Sequence, residues 1–170
     1  MAFDREKHHR RSVRLAGHNY ADAGWYFLTI CAAKRGEVFA RIVDNTVQLN
    51  RFGCIVEEEW RRVAQVRNEI ELDEWILMPD HLHAIVCIRH NIGAKLASSP
   101  RAAKSISSLV AGFKSAATSR INEKRGQTTI VWQRSFWEHI IRDERDLNNT
   151  RRYIHENPHR WTNRTSTQRP

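Results

Sequence analysis

The sequence predicts an α+β sandwich, an antiparallel sheet with helices on one face. Two patterns and their order carry that expectation. Short β-branched and aromatic runs read as strands, and longer stretches with apolar residues at helical spacing read as amphipathic helices. They follow one another as β, hairpin, α, β, β, α, β, α, with no internal repeat, so a single domain is expected.

The first strand is Gly24-Trp25-Tyr26-Phe27-Leu28-Thr29-Ile30-Cys31. Asp44-Asn45, between Ile42-Val43 and Val47, marks a hairpin turn inside residues 36–50. From Phe52 to Arg67, Val56, Trp60 and Val63 recur at helical spacing, and Glu57, Glu58 and Glu59 are read as acids complementing the helix start. Ile70 to Met78 and Leu82 to Ile88 form two strands joined through Pro79-Asp80. A Gly-, Ser- and Pro-containing linker follows over 90–101. Then Ile106, Leu109, Val110, Phe113, Ala117 and Ile121 stripe a long helix. A strand is expected from Thr129-Ile130-Val131-Trp132 onward to His139-Ile140-Ile141. The last helix opens at Asp143 and is expected to end at Asn157, because Pro158 lacks a backbone N–H and disfavours helix before it. Residues 1–19 read as a basic arm, 20–161 as the domain, and 162–170 as a short polar tail.

The chain has 170 residues and three cysteines, Cys31, Cys54 and Cys87, each in an apolar run and without zinc-site or disulfide spacing. No apolar stretch reaches membrane-spanning length, and the basic N-terminus has no apolar segment behind it. The expected setting is the cytoplasm, in association with the nucleoid. Charge is the informative quantity. With 28 Lys+Arg against 19 Asp+Glu the net charge is +9, and residues 76–142 alone carry ten cations against three anions. A polyanionic partner, nucleic acid first among them, fits that balance.

Two constellations offer chemistry. His81-Leu82-His83 lies in an alternating strand, where residues i and i+2 point the same way with their bases about 6–7 Å apart. Two imidazoles there can converge on one cation, although nine histidines in the chain also allow a chance His-x-His. Tyr153 and Asn157 stand four apart on the last helix and share a face. The Asn157 amide oxygen is a hard neutral ligand suited to Mg²⁺ or Mn²⁺, with Tyr153 one turn away as a nucleophile. The bland alternative is a capping Asn and a packed Tyr. A metal so held withdraws charge from a phosphodiester, and a tyrosine nucleophile retains one DNA end covalently, conserving the bond energy for rejoining. Of the three tyrosines, Tyr153 is the candidate, since Tyr20 lies in the arm and Tyr26 in a strand.

These residues resemble the single-tyrosine HUH transposases of small insertion sequences, and especially the REP-associated tyrosine transposases. The likeness is carried by Met78-Pro79-Asp80-His81-Leu82-His83, by Trp132-Gln133-Arg134-Ser135-Phe136-Trp137-Glu138-His139 ahead of Ile141-Arg142-Asp143, and by Tyr153-Ile154-His155-Glu156-Asn157-Pro158. Gly24-Trp25-Tyr26-Phe27 and Gly112-Phe113-Lys114-Ser115 add to it, so that it runs from about residue 20 to 161 in the right order. The resemblance implies a ferredoxin-like antiparallel sheet with the His-x-His on a central strand, and a C-terminal helix carrying the tyrosine. It implies Mg²⁺ or Mn²⁺ held by His81, His83 and, by position, Asn157, where many relatives outside this subfamily place Gln. It implies a single-stranded substrate folded as an imperfect hairpin, cleaved and rejoined through a 5′-phosphotyrosine on Tyr153.

For DNA contact the basic residues Lys104, Lys114, Arg120, Arg134, Arg151 and Arg152 are expected to neutralise phosphates. Trp25 and Tyr26 are expected either to stack on unpaired bases or to pack in the core, with only one of the pair facing inward because strand side chains alternate. The protein is expected to act as a monomer or homodimer. Two competing readings remain at this stage: a catalytically silent hairpin binder on the same scaffold, and a replication-initiation or relaxase nuclease, which often carries paired tyrosines.

Overall fold

The structure is a computed structural model that describes residues 22–89 and 105–167. The basic arm, the linker over 90–101 and Lys104 lie outside the described residues.

Strand β1 (Gly24–Cys31) pairs antiparallel with two neighbours and forms the centre of the sheet. A hairpin follows, β2 (Ala40–Val43) and β3 (Thr46–Leu49), making its own two-stranded sheet. Its turn residues Asp44 and Asn45 both have positive φ, 50° and 60°, the geometry of a tight type I′ connection. Helix α1 (Arg51–Val66) starts at Asn50, whose Oδ1 accepts from the Phe52 and Gly53 amides at 2.9 and 3.0 Å. The expectation that Glu57–Glu59 serve the helix start is corrected, because no acid occupies the first turn and Asn50 caps it. Gly53 is required here by close approach, since a Cβ would sit 2.1 Å from the Phe39 carbonyl oxygen.

Strands β4 (Ile70–Leu77) and β5 (His81–Ile88), helix α2 (Ile106–Arg125), strand β6 (Trp137–Ile141) and helix α3 (Glu144–Thr167) complete the described chain. The four-stranded sheet has the order β4-β5-β1-β6 with antiparallel pairing, and so the β1-α1-β4-β5-α2-β6 path is the ferredoxin-like arrangement. Its inner strands are therefore β1 and β5, and β5 carries both histidines.

Alternation divides the two faces. Tyr26, Leu28 and Ile30 of β1 and Leu82, Ala84 and Val86 of β5 point into the main core, where Trp60 of α1 and Phe113 and Ile121 of α2 meet them. Phe27, Ile85 and Ile141 point to the opposite face, where Ile154 of α3 is buried and Leu147 and Tyr153 pack around it. Two helices thus cover one face, and the tyrosine helix covers the other.

Two expectations about elements are corrected. The strand expected from Thr129 is reduced to a single bridge between Ala32 and Trp132 before β6 begins at Trp137. Helix α3 does not end at Asn157; Pro158 lies inside it and is buried. Contacts on both sides hold the helix through the proline, with Arg151 bound to Asp73 before it and the Trp161 ring beside His81 after it. Among the described residues, no helix is long and apolar enough to cross a membrane.

Candidate active site

The antiparallel register places Thr29 opposite His83 and Cys31 opposite His81, on the face that α3 covers. His81 and His83 direct their Nε2 atoms at each other, 3.1 Å apart, with ring centroids 4.5 Å apart. The other ring nitrogens are occupied. His81 Nδ1 lies 2.7 Å from Asp80 Oδ1, and His83 Nδ1 lies 2.9 Å from the Thr29 hydroxyl. Burial, and then the neighbouring His81, push the His83 pKa down to about 3, so this imidazole is neutral at ordinary pH.

Tyr153 arrives from α3. Its ring meets that of His83 nearly edge-on at 5.3 Å and that of Phe27 at 5.9 Å, while Phe27 also stacks on His83 at 5.3 Å. The Arg160 guanidinium sits over the Tyr153 ring, 5.6 Å from its centroid, and is itself held by Glu156 at 2.7 Å. One turn on from Tyr153, Asn157 is buried, and its Nδ2 donates to the Tyr153 carbonyl at 3.3 Å. An open cavity of about 540 Å³ adjoins these groups, lined by Phe27, Thr29, His83 and Tyr153 and by Trp137, His139, Asn149 and Thr150.

The imidazole spacing suits the divalent ion the resemblance implies. Two adjacent ligands, each about 2.1 Å from an octahedral ion, stand about 3.0 Å apart. The Nε2 separation of 3.1 Å matches that spacing. With the Asp80 carboxylate accepting from Nδ1–H of His81, Nε2 of that ring is a bare lone pair. With the Thr29 hydroxyl accepting from His83 in the same sense, two lone pairs face each other, and a cation relieves that arrangement. Hydrogen-bonded Nδ1 atoms are also how outer groups orient metal-binding imidazoles. Among the described residues, no three His, Cys, Asp or Glu side chains converge, so any further protein donor is of another type. The Asn157 amide is of that type, and its Oδ1 makes no hydrogen bond among the described residues. The two facing imidazoles fit two neighbouring positions around such an ion.

The expected DNA contacts divide. Of the two alternatives for the aromatic pair, Tyr26 takes the core, fully buried with its hydroxyl donating a hydrogen bond to the Asp22 carbonyl, and so is not available for stacking; Trp25 is half-buried on the other face. Arg120 is engaged by Glu58 and Glu59 of α1 at 2.6 and 2.8 Å, so it would reach a phosphate only by giving up those pairs. Lys114 donates to the carbonyls of Gln133 and Ser135 and is half-buried, with burial lowering its pKa, so it too is a structural tie. Arg151 is bound to Asp73 of β4 at 2.7 Å. Arg134 and Arg152 are exposed and make no ion pair among the described residues.

Several site residues escaped the sequence reading. The sequence places Thr29 on a strand and Phe27 in the glycine-aromatic motif, without a site role for either, although the same alternation that exposes the histidines to α3 selects both. Arg160 and Trp161 lie beyond Pro158, past the helix end the sequence predicts.

Comparisons with known proteins bear on the family and the fold. Residues 23–157 match the family described as "Transposase IS200 like". The chain is 37% identical over 164 residues to an uncharacterized protein of Haemophilus influenzae, covering 91% of each chain. It is 26% identical over 149 residues to the REP-associated tyrosine transposase of Escherichia coli, covering 86% of this chain and 74% of that one. A solved structure of a REP-associated tyrosine transposase bound to a REP hairpin shares the fold, with a TM-score of 0.60 at 22% identity over 84% of this chain and 71% of that chain. With that family model matched over residues 23–157 and a 37% identical relative covered over 91% of its length, the chain belongs to the IS200-like transposase family.

Proposed function

We propose that the protein cleaves and rejoins single-stranded DNA at hairpin-forming sequences, with Tyr153 as nucleophile. One observation carries this reading: the facing Nε2 atoms of His81 and His83, 3.1 Å apart, with the Tyr153 ring set against His83. Tyr153 Oη attacks the scissile phosphorus, forming a new P–O bond as the bond to the 3′-oxygen breaks. The departing 3′-oxygen keeps the electron pair and takes up a proton, while the phenolic proton is lost to solvent or a base. One phosphodiester is exchanged for another, so a 3′-hydroxyl can reverse the step without an external energy source. Bound Mg²⁺ or Mn²⁺ would withdraw charge from a phosphate oxygen. His81, His83 and the Asn157 amide oxygen would hold it. Asp80 and Thr29 fix the imidazole orientations, and the packing of Phe27 against both His83 and Tyr153 keeps the nucleophile beside them. The exposed cations Arg134 and Arg152 and the half-buried Trp25 supply phosphate and base contacts in this reading.

The similar E. coli protein is by name a REP-associated tyrosine transposase, and the solved structure that shares the fold is of such a transposase bound to a REP hairpin; a hairpin of that type is the substrate class proposed here. Incubating the protein with labelled hairpin DNA and Mn²⁺ should give a denaturation-resistant adduct that Tyr153→Phe cannot form while still binding the hairpin. An adduct with Tyr153→Phe overturns the assignment of the nucleophile. Binding with no adduct from the unaltered protein returns it to a silent hairpin binder.

A further inference from the structure

Trp137 is one of the few large apolar side chains the described fold leaves exposed, with 42% of its surface open. It is nevertheless held firmly. On β6 it lies opposite Thr29 and faces the same side of the sheet as the histidines. Its ring meets Phe27 edge-on at 5.7 Å and lies parallel to His139, with 8° between the planes and centroids 6.1 Å apart. His139 is fixed in turn by Asp146 of α3, Nε2 to Oδ2 at 2.9 Å. The cavity that adjoins Tyr153 therefore has one wall made of a flat, oriented and solvent-open indole. From α3 the same cavity receives Asn149, whose side-chain amide makes no hydrogen bond among the described residues.

A flat aromatic wall and an unengaged amide are what an unstacked nucleobase needs: a π face to stack on, and paired donor and acceptor groups at its edge. A phosphate is poorly served there, because the lining brings no Lys or Arg. An aliphatic ligand would make no use of the amide, which stays open to solvent. We infer that the Trp137–Asn149 cavity binds one unpaired base of the strand, next to the phosphate presented to Tyr153. This inference rests on the DNA-cleavage reading above, and it makes Trp137 and Asn149 determinants of where the strand is held.

The test reads binding and not cleavage, so it stands apart from the fate of Tyr153. Hairpin DNAs, each with a single abasic site at one unpaired position, are titrated against Tyr153→Phe protein with Trp137 intact or changed to Leu. Leu keeps apolar volume without a π face, and Trp137→Phe serves as the stacking-competent control. One abasic position should weaken binding about tenfold when Trp137 is present. Trp137→Leu should weaken the intact strand similarly and abolish the penalty at that same position, while Trp137→Phe restores most of both. Asn149→Ala should narrow the discrimination among the four bases at that position. If no abasic position matters, or the penalty persists unchanged in Trp137→Leu, the inference is overturned. Failure to form covalent adducts in the unaltered protein would instead count against the cleavage reading.

Discussion

Arg151 of the tyrosine helix holds Asp73 of the edge strand, with Nε and Nη2 reaching the same Oδ2 at 2.9 and 2.7 Å. The pairing depends on an irregularity in β4, where register with β5 shifts between Leu72 and Trp75. Such a bulge re-aims side chains, and here both residues inside it reach α3: Asp73 holds Arg151, and Glu74 lies 3.3 Å from His155. Arg151 stands two residues before Tyr153, so the clamp sets where the Tyr153 turn meets the sheet. Asp73→Asn should cost about 1 kcal/mol of stability, since the pair is only partly shielded from solvent. Its larger effect should be on adduct formation, slowed about tenfold with hairpin affinity little changed, as expected of a group that positions and does not bind. Equal losses in binding and adduct formation would refute the positioning role.

The displaced His83 titration gives stability a defined pH dependence. In the unfolded chain this ring titrates near the ordinary histidine value of about 6.5; in the fold it does so at about 3. Between those values the unfolded state binds more protons than the folded one, so stability falls as pH drops through that window and levels off below it. His83→Gln should flatten this slope. Thermal unfolding of both proteins from pH 7 to pH 3.5, without added metal, measures the difference; parallel curves would mean that His83 is not the group responsible.

Much of the sheet could be read from single residues, because its signals are local. The run from Gly24 to Cys31 became β1 with both ends where expected, and Asp44-Asn45 formed the hairpin turn. What failed depended on partners distant in sequence. Pro158 carries a strong local stop signal, yet the clamp before it and the Trp161 packing after it keep α3 helical. Likewise Arg120 looks from sequence like any surface cation; only the packing of α2 on α1 brings it to Glu58 and Glu59. The bulge in β4 has no glycine or proline to announce it. The histidines and Tyr153, which stand out by type and spacing, do come together in the fold, while Thr29 and Phe27 join them only through the β1–β5 register.

The metal reading predicts unequal roles for the three donors. Adding Mn²⁺ at about 100 times its dissociation constant should stabilise the fold by about 2.7 kcal/mol, a thermal shift of several degrees for a domain of this size. His81→Ala and His83→Ala should each abolish the shift. Asn157→Ala should reduce it, because that amide is also engaged with the Tyr153 carbonyl and contributes one neutral oxygen. Scanning calorimetry with and without Mn²⁺ distinguishes these cases. A full shift in either histidine variant would place the ion elsewhere.

The basic residues should separate by what already holds them. Arg120→Gln removes both ion pairs and leaves Glu59 buried and deprived of its 2.8 Å partner, so it should lower stability by about 1–3 kcal/mol while leaving the salt dependence of DNA binding unchanged. Arg134→Gln and Arg152→Gln should do the reverse. Both side chains are exposed and free of ion pairs among the described residues, so their loss should barely move the melting temperature. A cation that contacts a phosphate releases counterions on binding, and its removal lowers the slope of log K against log salt by about 0.7–0.9. Hairpin titrations across a range of salt concentrations read that slope directly. If Arg120→Gln lowers it as much as Arg152→Gln does, the α1–α2 ion pairs must open on DNA, and Arg120 belongs to the binding surface after all.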